Sequence, residues 1–124
     1  MSELSYKNFD VWKRKIELVS EVYKLTSKFP IQEQFGLTSH PWRAAISIPS
    51  NISEGAARST KSETVRFLDI ARVSLVELDT QIEVAVKLNH LSITGFNRLI
   101  EKINHSFAML SKFIKGIKNN KRSD

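Results

Sequence analysis

Arg43, Ser47, Asn51, Glu54 and Arg58 recur at steps of four, four, three and four, the spacing that puts side chains on one helical face. Two guanidinium groups, a carboxylate, a hydroxyl and a carboxamide in one line can form a hydrogen-bond ladder at a subunit interface. They can equally line a channel or stand as a solvated face. Trp42, next to Arg43, suits a core, an interface anchor or a base-stacking platform. The other faces of the run carry Ala44, Ala45, Ile46, Ile48 and Ile52, and Pro49 sits in its interior. An interior proline removes one backbone hydrogen bond and crowds the carbonyl four residues back, at a cost of about 3 kcal/mol. The spacing therefore predicts a helix bent at Pro49, with an ordered polar line along it.

A second set of residues has charge rather than hydrogen-bonding variety. Lys112, Lys115, Lys118 and Lys121 recur every three residues, with Arg122 beside the last, while Lys13 and Arg14 stand between Lys7 and Lys15. Lys61, Arg66 and Arg72 add to them, partly offset by Glu63 and Asp69. Such side chains make sequence-independent phosphate contacts. Lysine near a helix C-terminus also complements the helix dipole, the structural reading of Lys115 and Lys118. Few aromatics interleave with these charges, so stacking on unpaired bases is not indicated.

Catalytic constellations are harder to assemble. His40, His90 and His105 fall into no H-E-x-x-H pattern, and Glu101 with His105 reads as an exposed i, i+4 ion pair. A di-metal bundle site needs paired Glu-x-x-His sequences, which this chain lacks. The four glycines are isolated, so there is no phosphate-cradling loop, and Ser47 and Ser50 have no base arranged beside them. The expectation is a non-enzyme without cofactor or metal.

Composition sets the frame around these groups. The chain has 124 residues, a length that suits one domain spanning 1–124. It contains no cysteine, hence no disulfide framework and no thiolate chemistry. No apolar run reaches the roughly 18 residues a bilayer span needs, and the N-terminus does not read as a signal peptide, so the expected address is cytoplasmic. Of the net charge of +6, residues 1–91 contribute almost nothing, whereas residues 92–124 hold seven Lys or Arg against two Asp or Glu.

Four segments have helical periodicity and none alternates like a strand. Helix 1 is expected over about residues 8–29, with Phe9, Trp12, Ile16, Val19 and Tyr23 as one apolar stripe and Leu18, Val22, Leu25 and Phe29 as its neighbour. Trp12 is read as packing. Helix 2 is expected over 37–58, with Thr38 as a candidate N-cap and Pro41 in the first turn. Thr60-Lys61-Ser62-Glu63 matches a capping box and opens helix 3, expected over 61–89. Its seam is Leu68, Ala71, Leu75, Leu78, Ile82 and Ala85, ending near Asn89. Helix 4, over 93–118, presents Phe96, Leu99, Ile103, Phe107, Leu110, Ile114 and Ile117. Short connections make successive helices antiparallel, so the fold is all-α, an up-and-down four-helix bundle.

The chain resembles the four-helix-bundle proteins encoded within 23S rRNA intervening sequences, a family that includes the accessory variability determinant proteins of diversity-generating retroelements. The resemblance spans about residues 5–118. It is carried by Phe9-Asp10-Val11-Trp12-Lys13, by Val22-Tyr23-Lys24-Leu25-Thr26 with Phe29-Pro30, and by Phe35-Gly36-Leu37-Thr38-Ser39. The run from Arg43 to Gly55 is its most specific part, continued by Ser62-Glu63, Phe67-Leu68 and the stretch from Ser74 to Gln81. The resemblance implies a closed homopentamer around a central channel. For retroelement members it further implies a basic surface binding nucleic acid and a partner reverse transcriptase. The chain departs from the family pattern at Trp42, where a second arginine is usual, and at His40-Pro41. It departs again at Ile93-Thr94-Gly95, where an acidic run is usual.

Two functions follow as expectations. One is a non-enzymatic oligomeric bundle binding RNA or DNA through Lys13, Arg14, Lys112, Lys115, Lys118, Lys121 and Arg122. The alternative is a structural or adaptor bundle whose ligand is another protein, such as a reverse transcriptase, with Trp42, Arg43, Ser47, Asn51, Glu54 and Arg58 at an oligomer interface or channel.

Overall fold

The structure is a computed structural model and describes residues 10–119. Four α-helices follow one another: α1 (Asp10–Thr26), α2 (Ser39–Ala56), α3 (Lys61–Lys87) and α4 (Ile93–Lys118), with a 3₁₀ turn at Ile31–Glu33 between α1 and α2. Among the described residues there is no strand. Contacts fix the directions. Trp12 of α1 meets Ser53 late in α2, Ser47 of α2 meets Ser74 of α3, and Lys15 of α1 meets Ser106 late in α4. Arg72 of α3 likewise reaches Ser111 of α4. Each helix thus runs antiparallel to the next and α4 closes back on α1, the up-and-down bundle that short connections impose.

Helix ends show why the chain turns where it does. Thr60 is extended and its hydroxyl accepts the Glu63 N–H at 3.3 Å, the Thr half of the capping box. Ser92 does the same for Gly95 at 3.1 Å. Asn89 takes a left-handed φ of 62°, and the next N–H, from His90, reaches back to the Ala85 carbonyl at 2.9 Å. Asparagine tolerates that conformation better than other residues with side chains, which makes it an effective stop. Thr38 precedes α2 without a side-chain cap; its own N–H bonds to the Glu33 carbonyl instead.

The core draws on all four helices. Ala44, Ala45, Ile48 and Ile52 of α2 meet Leu68, Ala71, Leu75, Leu78 and Ile82 of α3, every one of them buried. Leu99, Ile103, Leu110 and Ile114 come from α4, and Val11, Leu18 and Val22 from α1. α2 continues through Pro49, which is itself buried.

Two faces differ from the sequence expectation. On α1 the inward line is Val11, Lys15, Leu18, Val22 and Thr26, while Ile16 and Tyr23 of the expected stripe are 44% and 58% exposed. Both stripes have three-four periodicity, and the one wedged between α2 and α4 is the one that carries a lysine. Phe9 lies outside the described residues. On α4, Phe107 is exposed and Ser106 is buried in its stead; the Phe107 ring is covered by the Arg72 guanidinium, 5.6 Å from its centroid.

Candidate nucleic-acid interface

The antiparallel order gathers the N-termini of α1 and α3 and the C-termini of α2 and α4 at one end of the bundle. That end, residues 10–18, 54–72 and 103–118, carries ten Lys or Arg against five Asp or Glu. The remaining described residues carry six of each. A charge that the linear chain assigns mostly to its last quarter becomes, on folding, a property of one pole.

Cations at this pole are held in two ways. Arg58 bonds to Glu54 at 2.7 Å and lies 4.5 Å from the centroid of Phe67, whose ring also faces Arg66 at 5.2 Å. Arg72 is pinned between Asp69 at 2.6 Å, Ser111 at 3.2 Å and Phe107. Ring contacts and single ion-pair bonds spend part of a guanidinium's donor capacity, leaving its charge displayed but its position fixed. Lys112, Lys115 and Lys118, by contrast, are exposed on α4, and none has an ion-pair partner among the described residues. Lys13 is exposed, and Arg14 contacts the His105 ring at 3.3 Å. Lys121 and Arg122 lie outside the described residues. Lys13, Arg14, Lys112, Lys115 and Lys118 thus share one pole although about a hundred positions separate the two groups in the chain.

The polar line of α2 divides into three environments. Arg43 is exposed toward the charge-balanced pole, next to Trp42, which is half exposed. Ser47 and Asn51 turn into the seam with α3. The Asn51 amide donates to the Ser47 carbonyl at 2.8 Å and to its hydroxyl at 2.9 Å, and that hydroxyl pairs with Ser74 at 2.9 Å. Ser74 in turn donates to the Ile70 carbonyl at 3.1 Å. Glu54 and Arg58 form their exposed pair at the basic pole. A satisfied ladder inside one chain occupies the middle, while the two ends stay open to a partner.

Trp12 and the exposed stripe of α1 form the wall of a shallow recess with Ile46, Pro49 and Ser50 of α2. Tyr23 and Trp42 flank a second, with Thr26, Ser27, Thr38 and Ser39. The Trp12 indole N–H donates to Ser53 at 3.0 Å, and Ser53 donates to the Pro49 carbonyl at 2.9 Å, so one apolar edge is tied across the two helices at the proline. Sequence reasoning credited this stripe to the core. The signal for its exposure is its width: two adjoining apolar stripes on a 17-residue helix exceed what two neighbours cover.

Sequence reasoning also passed over Lys15 as a site residue. Its Nζ donates to the Ser106 hydroxyl, and the residue is 1% exposed. Burial, with Arg14 beside it, pushes its amine down to about 8 against an offsetting pull from Glu17. The 11-15-18-22 spacing, which continues an apolar stripe through a lysine, was the available signal. Among the described residues no group of three or more His, Asp or Glu converges as metal ligands would. No helix of the described residues is long and apolar enough to cross a membrane.

An up-and-down helical bundle with a polar ladder in one seam and a cationic pole defines the class of protein. The sequence model of the 23S rRNA-intervening sequence proteins matches residues 7–112, and the chain belongs to that family. Its fold is similar to the crystal structure of a protein of unknown function from the S23 ribosomal protein family of Bacteroides thetaiotaomicron. The TM-score is 0.76 at 20% identity, over 85% of this chain and 98% of that one, a likeness of fold. No curated protein matches the chain.

Proposed function

We propose that this protein is a non-enzymatic, cytoplasmic homo-oligomeric bundle that binds nucleic acid, RNA or DNA, through its basic pole. The observation that carries the reading is the trio Lys112, Lys115 and Lys118, exposed and unneutralised where four helix ends contribute a twofold excess of cations. Flexible ammonium groups suit sequence-independent phosphate contacts, because they follow the backbone without demanding one geometry. Binding should fall steeply with salt. Each phosphate contact contributes about 0.9 to the log–log slope on duplex DNA. A salt-titrated assay with structured RNA, duplex DNA and an RNA–DNA hybrid tests this. The triple change Lys112→Glu, Lys115→Glu, Lys118→Glu should abolish binding, and undiminished binding would refute the assignment.

Self-association is favoured by a separate observation, the exposed apolar edge of α1 and α2 at Ile16, Tyr23 and Trp42. Five subunits is the number that the family resemblance implies. Trp42→Glu with Tyr23→Glu should reduce the mass seen in light scattering; an unchanged mass would remove this edge from the interface. If the pole binds no nucleic acid, the adaptor reading takes over, with a protein such as a reverse transcriptase as partner at Arg43, Glu54 and Arg58.

A further inference from the structure

Between α1 and α4 the bundle opens into a cleft of about 410 Å³, lined on one side by Arg14, Lys15, His105 and Ser106. Lys15 occupies a seam position, between Val11 and Leu18, where an apolar side chain would pack with no desolvation cost. Its ammonium has three N–H donors, and the acceptor it meets is a single hydroxyl, Ser106. Among the described residues no carboxylate forms an ion pair with it. A buried charge whose hydrogen-bond acceptor is one neutral hydroxyl, with Glu17 pulling on it but forming no ion pair, is costly, and an anion entering the cleft would offset that cost.

The neighbours add to this demand. Arg14 Nη1 stands 3.3 Å from His105 Nε2, and a guanidinium cannot accept a hydrogen bond, so the imidazole must offer its lone pair there. Farther along the cleft the balance is already struck: Glu21 receives Lys102 at 2.5 Å and Arg98 at 3.6 Å. Glu17 and Glu101 also line the walls and oppose an anion. The uncommitted positive potential therefore lies at the Arg14–Lys15–Ser106 end.

We propose that this cleft is a phosphoryl-binding site, in which Lys15 and Arg14 neutralise a phosphate group, the Ser106 hydroxyl donates a hydrogen bond to it and the His105 ring holds the Arg14 guanidinium in place. Phosphate fits better than a carboxylate because three or four acceptor oxygens can engage donors converging from two helices. The depressed basicity of Lys15 agrees with an amine waiting for its counter-ion. The site goes beyond the reading of the pole as a nucleic-acid surface. Its phosphate can belong to a free phosphorylated molecule or to the end of a nucleic-acid strand.

Calorimetric titration at fixed ionic strength separates these cases. The probes are inorganic phosphate, adenosine 5′-monophosphate, and one RNA oligomer with or without a 5′-phosphate. The wild-type protein should bind phosphate and the monophosphate saturably. Lys15→Met and Arg14→Gln should each weaken that binding about tenfold or more, and Glu101→Gln should tighten it several-fold. Circular dichroism is the control that each variant must pass by keeping its helices. Preference for the phosphorylated oligomer, lost in Lys15→Met, assigns the cleft to a strand end; equal binding of both oligomers assigns it to free phosphorylated molecules. No saturable binding of phosphate or the monophosphate to wild type, or undiminished affinity in folded Lys15→Met, overturns the proposal and leaves Lys15 as a device that sets the register of α1 on α4. Phosphate binding retained in the Lys112, Lys115, Lys118 triple variant keeps this result distinct from the fate of the basic pole.

Discussion

The α2–α3 seam and the α1–α4 seam each join a shorter helix to a longer antiparallel one, yet they are built from different chemistry. Between α2 and α3 the contacts are alanines, isoleucines and leucines, with the Ser47–Asn51–Ser74 ladder as a fully bonded polar insert. The helices come close enough that a Cβ on Gly55 would sit 3.0 Å from the Thr64 carbonyl oxygen and 3.2 Å from the Phe67 Cβ. Between α1 and α4 the seam holds a lysine, a serine and an open cleft flanked by ion pairs. Packing energy is concentrated in one seam, and electrostatic work is left to the other. A bundle can accept that division because one well-packed helix pair anchors the fold while a second tolerates a polar, hydrated contact.

The sharpest way to break this contrast is a matched pair of truncations. Ile48→Ala, deep between α2 and α3, should cost about 2–5 kcal/mol, because a tight site cannot collapse around the lost atoms. Leu18→Ala should fall at the low end of that range, since Leu18 lines the cleft and its vacancy opens to solvent. Urea unfolding of both, at unchanged m-value, measures the difference; a larger loss at Leu18 would reverse the ranking of the seams.

Gly55→Ala comes next. The added methyl meets a backbone oxygen that cannot rotate away, so a loss of about 1–3 kcal/mol is expected in the same assay. The Thr64 hydroxyl, which donates to the Gly55 carbonyl at 2.8 Å, would be displaced with it. A neutral result would show that α2 and α3 can move apart freely.

Lys15→Met should have the opposite sign, stabilising the protein by about 1–3 kcal/mol at pH 7, because it removes a buried charge and keeps the volume. The pH dependence identifies the cause. The lysine binds its proton up to 10.5 in the unfolded chain but only up to about 8 in the folded one. Between those values the unfolded state holds more protons, so wild-type stability rises with pH through that window. The advantage of Lys15→Met should be complete below pH 8 and shrink toward pH 10. Thermal melts of both proteins across this range check it, and a gap that stays constant would mean the ammonium is not the source.

The smallest effect is expected at Gly116, late in α4, where nothing lies within 4 Å of an added Cβ. Gly116→Ala should stabilise by up to about 1 kcal/mol through helix propensity alone. Its melting curve serves as a reference for changes that alter no seam.

Helix identity and direction could be read before any coordinates existed, since each helix repeats its apolar residues every three or four positions. The α3 seam, from Leu68 to Ala85, is buried as its spacing says, and Thr60 and Asn89 bound the helix through local hydrogen bonds that need no distant partner. α1 resisted the same treatment. It offers two apolar stripes of equal period, and periodicity carries no information about which one faces the interior. The Lys15 stripe turned inward because Leu18, Val22 and Thr26 fit between α2 and α4, and the lysine was carried in with them. The candidate site was legible as a set of residues: Lys112, Lys115 and Lys118 stand out by spacing and group with Lys13 and Arg14 by charge, but that antiparallel packing gathers them at one pole beside Lys15 is not written in the spacing.

From the order of residues alone come four amphipathic helices, their caps, their alternating direction and a surplus of positive charge, because each depends on neighbours within about four positions or on composition. Three-dimensional packing decided which face of α1 is covered, that half of the α2 polar line is consumed within the chain, and that the cations share a pole beside a cleft holding Lys15. Those outcomes depend on contacts between residues up to ninety-one positions apart, such as Lys15 and Ser106, which no local pattern encodes.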